Sequence, residues 1–245
     1  MKLSPQARNV AILIVVVACA PKSQPAQDSA AQAGAATAAA ATTAPPAERE
    51  LFNGRDLTGW RGYKSPAVPD GWSAQNGVLT KSKGTGDILT ADQFGDFDLS
   101  FDWKLSRGGN AGVFYRGTEE YDHIYWSAPE YQLLDDAHHP DGRSRLTSAG
   151  AAYALYPPPA GIVKPAGEWN SSRLLVQGNH VEHWLNGQKV VEYDLASPDW
   201  EAKVKASKFS AYPHYGRAAR GYIGIQGDHD GVLSLRNIRI RELSR

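Results

Sequence analysis

From Asp96 to Lys104 the chain alternates without a break: Phe97, Leu99, Phe101 and Trp103 fall on one parity, and Asp96, Asp98, Ser100, Asp102 and Lys104 on the other. A repeat of two residues puts one set on each face of a strand, so this segment has one face for a core and one for water. Two Asn-Gly pairs punctuate similar runs. Asn76-Gly77 lies between Trp72-Ser73-Ala74 and Val78-Leu79-Thr80, and Asn186-Gly187 between His183-Trp184-Leu185 and Val190-Val191-Glu192. Both read as hairpin turns. Tyr222–Gln226 and Val232–Arg241 read as a last strand pair around Gly227–Gly231. In that final run Leu233 and Leu235 are out of step with Ile238 and Ile240, which predicts a bulge near Arg236-Asn237. No segment after residue 50 carries the apolar stripe of a long helix. The expectation is an all-β, two-sheet sandwich, with jelly roll as the best topology.

The first 49 residues read differently. Lys2 and Arg8 precede the apolar run Val10–Ala18, which is too short to span a bilayer but suits a secretory signal. It ends in Val16-Val17-Ala18-Cys19, a bacterial lipobox pattern, and Cys19 is the one cysteine of the chain. Cys19 is therefore expected to be lipidated, and no internal disulfide can form. Ala20, rather than Asp, follows it and favours the periplasmic face of the outer membrane. Residues 20–49 are rich in Ala, Pro, Gln, Ser and Thr and read as a disordered tether. Residues 50–245 remain for one domain. Basic and acidic residues balance at 26 each with no basic stripe, which argues against nucleic acid. Seven Trp and eleven Tyr suit either a sandwich core or rings that stack on sugars.

Six stretches carry a likeness to a known family: LFNGRDLTGW (51–60), GNAGVFYRG (109–117), PEYQLLDD (129–136), GEWNSSRLLVQGNHVEHWLNGQKVVEYD (167–194), SKF (207–209) and GYIGIQGDHDGVLSLRNIRIREL (221–243). In this order they resemble the 3-keto-disaccharide hydrolase family. The resemblance implies a concanavalin A-like jelly roll with a concave sugar-binding face. It also implies action on glycosides whose C3 hydroxyl has become a ketone, with an oxidoreductase that makes 3-keto sugars as functional partner. The family's Gln-Asp-His-Gly run stands here as Gln226-Gly227-Asp228-His229-Asp230-Gly231, with a glycine inserted.

Strand parity bears on mechanism. Glu130, Gln132 and Leu134 share one face, and Tyr131, Leu133 and Asp135 the other. A retaining glycosidase needs two carboxyl groups about 5–5.5 Å apart. Glu130 and Asp135 are on opposite faces, and Asp136 lies roughly 20 Å along the strand. This segment alone supplies no such pair, although another strand could bring a partner. Elimination from a 3-keto sugar needs only one strong base, at C2, with a positive group at the C3 oxygen and an acid for the leaving group. The expected roles follow. Glu130 is the base or a metal ligand, and Arg116 and Lys208 stabilise the enolate or bind hydroxyls. Gln132 and Gln226 orient the sugar, and His229 is an acid or a ligand. Tyr131 contacts substrate, and Trp184 is a stacking platform or core. His123–Trp126 line the cleft or pack beneath a loop.

Arg116 is expected to share a strand face with Phe114 and Gly112. The run Asp135–Asp141 holds five potential ligands, of which Asp135, Asp136 and His138 would take a divalent metal such as Mn, Ca or Zn. A solvated loop is the alternative. The competing function is a non-catalytic, lectin-like envelope lipoprotein; a structural lipoprotein without ligand is a third. Convergence of Arg116, Glu130, Lys208 and Gln226 in one cleft separates the enzyme from the others.

Overall fold

The computed structural model describes residues 47–244. The signal segment, Cys19 and nearly all of the expected tether lie outside the described residues. Arg49, assigned above to the tether, already belongs to a strand.

The described residues form thirteen strands in two antiparallel sheets. In chain order they are β1 (Arg49–Glu50), β2 (Trp60–Gly62), β3 (Trp72–Gln75), β4 (Val78–Lys81), β5 (Ile88–Phe94), β6 (Phe97–Leu105), β7 (Asn110–Gly117), β8 (Glu130–Leu134), β9 (Asn170–Gln177), β10 (His180–Leu185), β11 (Gln188–Asp194), β12 (Gly221–Ile225) and β13 (Leu233–Glu242). The larger sheet runs β11-β10-β9-β6-β13-β4-β3, with β1 also on β13; the smaller runs β2-β5-β12-β7-β8. One nine-residue helix, α1 (Pro198–Ala206), follows β11.

The alternating run is β6, and its burial alternates residue by residue. Phe97, Leu99, Phe101, Trp103 and Leu105 face the core, and each contributes about 1.5–3 kcal/mol by leaving water. Truncating Phe101, which meets Tyr131 edge-on across the sheets, would cost about 3–5 kcal/mol. Both Asn-Gly pairs turn hairpins with positive φ at each residue, 52° and 78° at Asn76-Gly77 and 49° and 81° at Asn186-Gly187. The expected bulge in β13 is present: register shifts between Arg236 and Arg239, with Asn237 at φ 53°.

The expected last hairpin does not form. β12 lies in the smaller sheet between β5 and β7, and β13 in the larger between β6 and β4. Ile223 and Ile225 share one core with Leu233 and Leu235 from the other sheet. The segment between the two strands is thus a crossover, and it carries His229.

Two features prepare the site. The free edge of β8 is covered by residues 150–153, whose backbone bonds to Glu130 and Gln132: Tyr153 donates to the Glu130 carbonyl at 3.1 Å, and Gln132 to that of Ala151 at 3.1 Å. A stack of parallel rings, Tyr156–Tyr193–Trp200–Tyr215–Phe209, ties α1 and the one-turn 3-10 helix Lys208–Ala211 to the sandwich. That stack fixes the segment bearing Lys208.

Candidate active site

Tyr131 and Leu133 point from β8 into the core, so Glu130 and Gln132 point out from the opposite face of the smaller sheet. One end of that face is filled by Leu89, Phe114, Ile124 and Ala128. At the other end it opens as a cavity of about 180 Å³. Asn110, Glu130, Gln132 and Gln226 come from the sheet or its immediate continuation. Tyr125, Asp141, Tyr153, Lys208, Asp228 and His229 come from loops. Glu130, Gln132, Lys208, Gln226 and His229 are thus brought to one place.

Gly112 makes room for the acid. It pairs with Gln132, and a Cβ there would sit 2.1 Å from Glu130 Oε1 and 2.7 Å from its Cγ. Burial pushes the Glu130 carboxyl up to about 8; the Lys208 ammonium pulls it back, and Asp228, Asp87 and Asp141 add to the rise. The amide oxygens of Gln132 and Gln226 are buried without a protein partner. An acceptor left so costs about 1–3 kcal/mol unless something donates to it, and sugar hydroxyls are suitable donors.

The inserted glycine now has a reason. A Cβ on Gly227 would lie 2.3 Å from the Gly86 carbonyl oxygen, so the crossover can pack there only as glycine. Its N–H donates to Asp87 Oδ1 at 2.7 Å. Lys81, fully buried at the end of β4, donates its ammonium to the His229 carbonyl. Burial pushes the lysine down, against the pull of Asp228, Asp230 and Asp87. Burial likewise pushes Asp87 up to about 7 and His229 below the ordinary imidazole range. Lowering favours the neutral imidazole of His229, which suits a base or hydrogen-bond donor better than the acid role expected above. Sequence reasoning missed Lys81 and Asp87. The signal was present for Lys81, since it stands in the inward phase of Leu79.

Four expectations are corrected. Arg116 is not in this cleft. Two residues of β12, Tyr222 and Gly224, span Gly117 to Phe114 on β7, so β7 bulges, and Arg116 is in the bulge at φ 51°. The bulge redirects its guanidinium onto Asp96 at 2.9 Å and the Gly95 carbonyl at 2.9 Å. A larger cavity of about 670 Å³ opens there, but its buried charges neutralise each other, whereas the smaller one gathers acids, imidazole and ammonium. Tyr131 faces the core and bonds Ser172 Oγ at 2.9 Å. Trp184 is neither platform for this cleft nor core. It lies on the outward face of the larger sheet, donating to Glu182 at 2.7 Å beneath the Arg173 guanidinium.

The metal set Asp135, Asp136 and His138 does not converge. Asp135 accepts from Gly108 N–H at 2.7 Å and meets His138 Nδ1 at 2.8 Å, while Asp136 turns to Ala149 N–H at 2.8 Å. These bonds staple loops. Asp141, from the same run, does reach the cleft, where it, Asp228 and His229 offer oxygen and imidazole donors of the kind a divalent cation takes. Among the described residues His180, Glu182 and Glu192 approach one another closely enough to share an ion, but the Lys189 ammonium already bridges the two glutamates.

Two packed antiparallel sheets with a polar, acid-bearing cavity on one outward face make this a concanavalin A-like sandwich. A Bacillus subtilis protein with a galectin-like fold shares the architecture at TM-score 0.51 and 13% identity, over 83% of this chain and 98% of that one. The profile of the 3-keto-α-glucoside-1,2-lyase-like domain matches residues 47–241, and the chain belongs to that family. A 3-keto-disaccharide hydrolase from Bacteroides thetaiotaomicron is 34% identical over 226 residues, 79% of this chain and 77% of that protein. Two solved structures of candidate glycosyl hydrolases from Parabacteroides distasonis are also similar. One has TM-score 0.76 and 34% identity over 80% of this chain and 94% of the other, and the second has 0.65 and 30% over 80% and 100%.

Proposed function

We propose that this chain cleaves 3-keto-glycosides by elimination followed by hydration. The observation that carries the reading is Glu130, a buried carboxyl raised to about 8, beside Lys208 in a cleft whose amide oxygens await donors. The family description and the relative's printed activity support the substrate class. Glu130 takes the proton from C2. The electron pair delocalises onto the C3 oxygen, where Lys208 supplies positive charge. The C1–O bond then breaks, and Tyr153, a phenol pushed up to about 12 chiefly by burial, protonates the leaving oxygen. Water adds to C1 of the enone with His229 as its base, and C2 regains a proton, so the sum is hydrolysis.

Parity alone argued against paired carboxylates, but loops bring Asp141 and Asp228 into the cleft, so the choice between routes needs an experiment. In D2O, elimination places deuterium at C2 of the released 3-keto sugar; cleavage with C2 fully protonated would sink the scheme. Glu130→Gln should abolish turnover of a 3-keto-disaccharide. A divalent cation bound between the substrate's own oxygens and a cleft donor such as Asp141, Asp228 or His229 would supply the same charge at C3 as Lys208. Activity that vanishes on chelation and returns with Mn, Ca or Zn assigns that role to the cation, and unaltered activity assigns it to Lys208. The C3 ketone must come from an oxidoreductase acting on the same sugar. Lipidation at Cys19 and the Ala20 that follows it support a location, in this proposal, on the periplasmic face of the outer membrane.

A further inference from the structure

The cavity around Glu130 is small. Its volume of about 180 Å³ is well below the ~300 Å³ at which sites that enclose drug-sized ligands begin. It has room for the ring that reacts and little more, so the rest of a glycoside must lie on an adjoining surface. One wall of the cavity, Tyr125, continues into a connected run of rings. His123 stacks on Tyr125 at 4.8 Å and 14°, and Trp126 meets both rings edge-on. Trp126 in turn stacks on Tyr212 at 4.9 Å and 13°, and Tyr212 meets Tyr121 at 5.4 Å. Tyr121, Tyr125, Trp126 and Tyr212 are half-buried. Tyr212 directly follows the 3-10 helix that begins with Lys208, so the run links two walls of the cleft. Burial raises the Tyr125 phenol, and the charges of Asp228, Asp87 and Glu130 add to that rise, as expected of a ring at the cavity edge.

We infer that this aromatic shelf, from Tyr125 through Trp126 to Tyr212, is the binding site for the leaving part of the substrate, the second sugar ring of a disaccharide. The inference rests on the proposed 3-keto-glycosidase activity and adds its preference for the leaving group. Trp126 and Tyr212 stack on each other and both keep part of their surface in solvent, and a pyranose ring lays its C–H face on such rings while its hydroxyls stay wet. The other surface next to Lys208 is a hollow of about 420 Å³ lined by Leu146, Ala154 and Leu155, which has no ring to stack on.

The test compares kcat/KM for two substrates with the same reacting ring, methyl 3-keto-α-glucoside and a 3-keto-α-glucosyl-glucose. Wild type should prefer the disaccharide. Trp126→Ala and Tyr212→Ala should each cut the disaccharide value by roughly threefold to tenfold, the worth of one aromatic contact, and spare the methyl glycoside. Trp126→Phe should recover part of the loss, and methyl glycoside turnover shows that each variant is folded. Equal loss on both substrates, no loss on either, or a selective loss in Leu146→Ser instead would overturn the shelf and leave the chemistry standing. If wild type turns over neither substrate, the chemistry itself has failed. Calorimetry with the disaccharide then decides the shelf: weaker binding to Trp126→Ala than to wild type upholds it, and equal or absent binding removes it.

Discussion

Replacing Glu130 by Gln should make the protein more stable, and increasingly so as pH rises. The carboxyl moves from an ordinary 4.5 to about 8 because burial penalises its charged form. Between those values the folded protein holds a proton that the unfolded chain has released. Native protein then binds more protons than unfolded, so stability falls with rising pH from about 4.5 to about 8 and is flat above. The slope is about 1.4 kcal/mol per pH unit, and the full penalty is on the order of 5 kcal/mol. Gln carries no such penalty; Asp87 titrates in both proteins, so only its repulsion of the ionised Glu130 carboxylate remains in the difference. Urea unfolding of both proteins at pH 5, 6.5 and 8 measures the gap. Parallel stability curves would refute the burial argument. The same group sets the rate. As a base, Glu130 is about 10% ionised at pH 7 and about 1% at pH 6, so kcat/KM should climb tenfold per unit and level off near pH 8. An activity that instead falls above pH 8 would make Glu130 an acid. A limb near pH 4.5 would mean it is not buried at all.

Three further outcomes follow from the same geometry. Gly112→Ala puts a methyl group where the Glu130 carboxyl sits, and should lower kcat about 10²-fold while costing about 1–3 kcal/mol of stability; normal turnover would mean the carboxyl is elsewhere. Lys81→Met releases the His229 carbonyl and should lower kcat between ~10- and ~100-fold with KM for a 3-keto-disaccharide little altered, read by steady-state kinetics. Arg116→Ala removes the guanidinium that pairs with the buried Asp96 carboxylate and should cost about 1.5–3 kcal/mol in denaturant unfolding, yet leave kcat of the folded protein unaltered; lost turnover would return Arg116 to the site.

Much of this molecule is legible in one dimension because backbone geometry is local. A strand must alternate, so Phe97 to Leu105 announced β6 and its buried face. Asn-Gly must take positive φ readily, so Asn76-Gly77 and Asn186-Gly187 announced their hairpins. Parity also placed Glu130 and Gln132 together and Tyr131 away from them, and that reasoning should have excluded Tyr131 from the substrate. It failed at Arg116 because one bulged residue cancels the alternation on which the prediction rests. It failed at Trp184 because parity gives a face of a sheet but not which sheet.

The alternation, the turns and the β13 bulge were therefore settled by the order of residues alone. The tertiary structure decided which sheet each strand joins, and with it the fate of Gly221–Ile225 and Leu233–Glu242, which the sequence presented as neighbours and packing sent to opposite sheets. It alone brought Lys208, Asp141 and His229 to Glu130, and buried Lys81 beneath the crossover loop. The reason is physical. Period and turn chemistry are properties of a few adjacent residues, whereas a cleft is made where two sheets and their loops finish burying apolar surface, and no local pattern encodes that meeting.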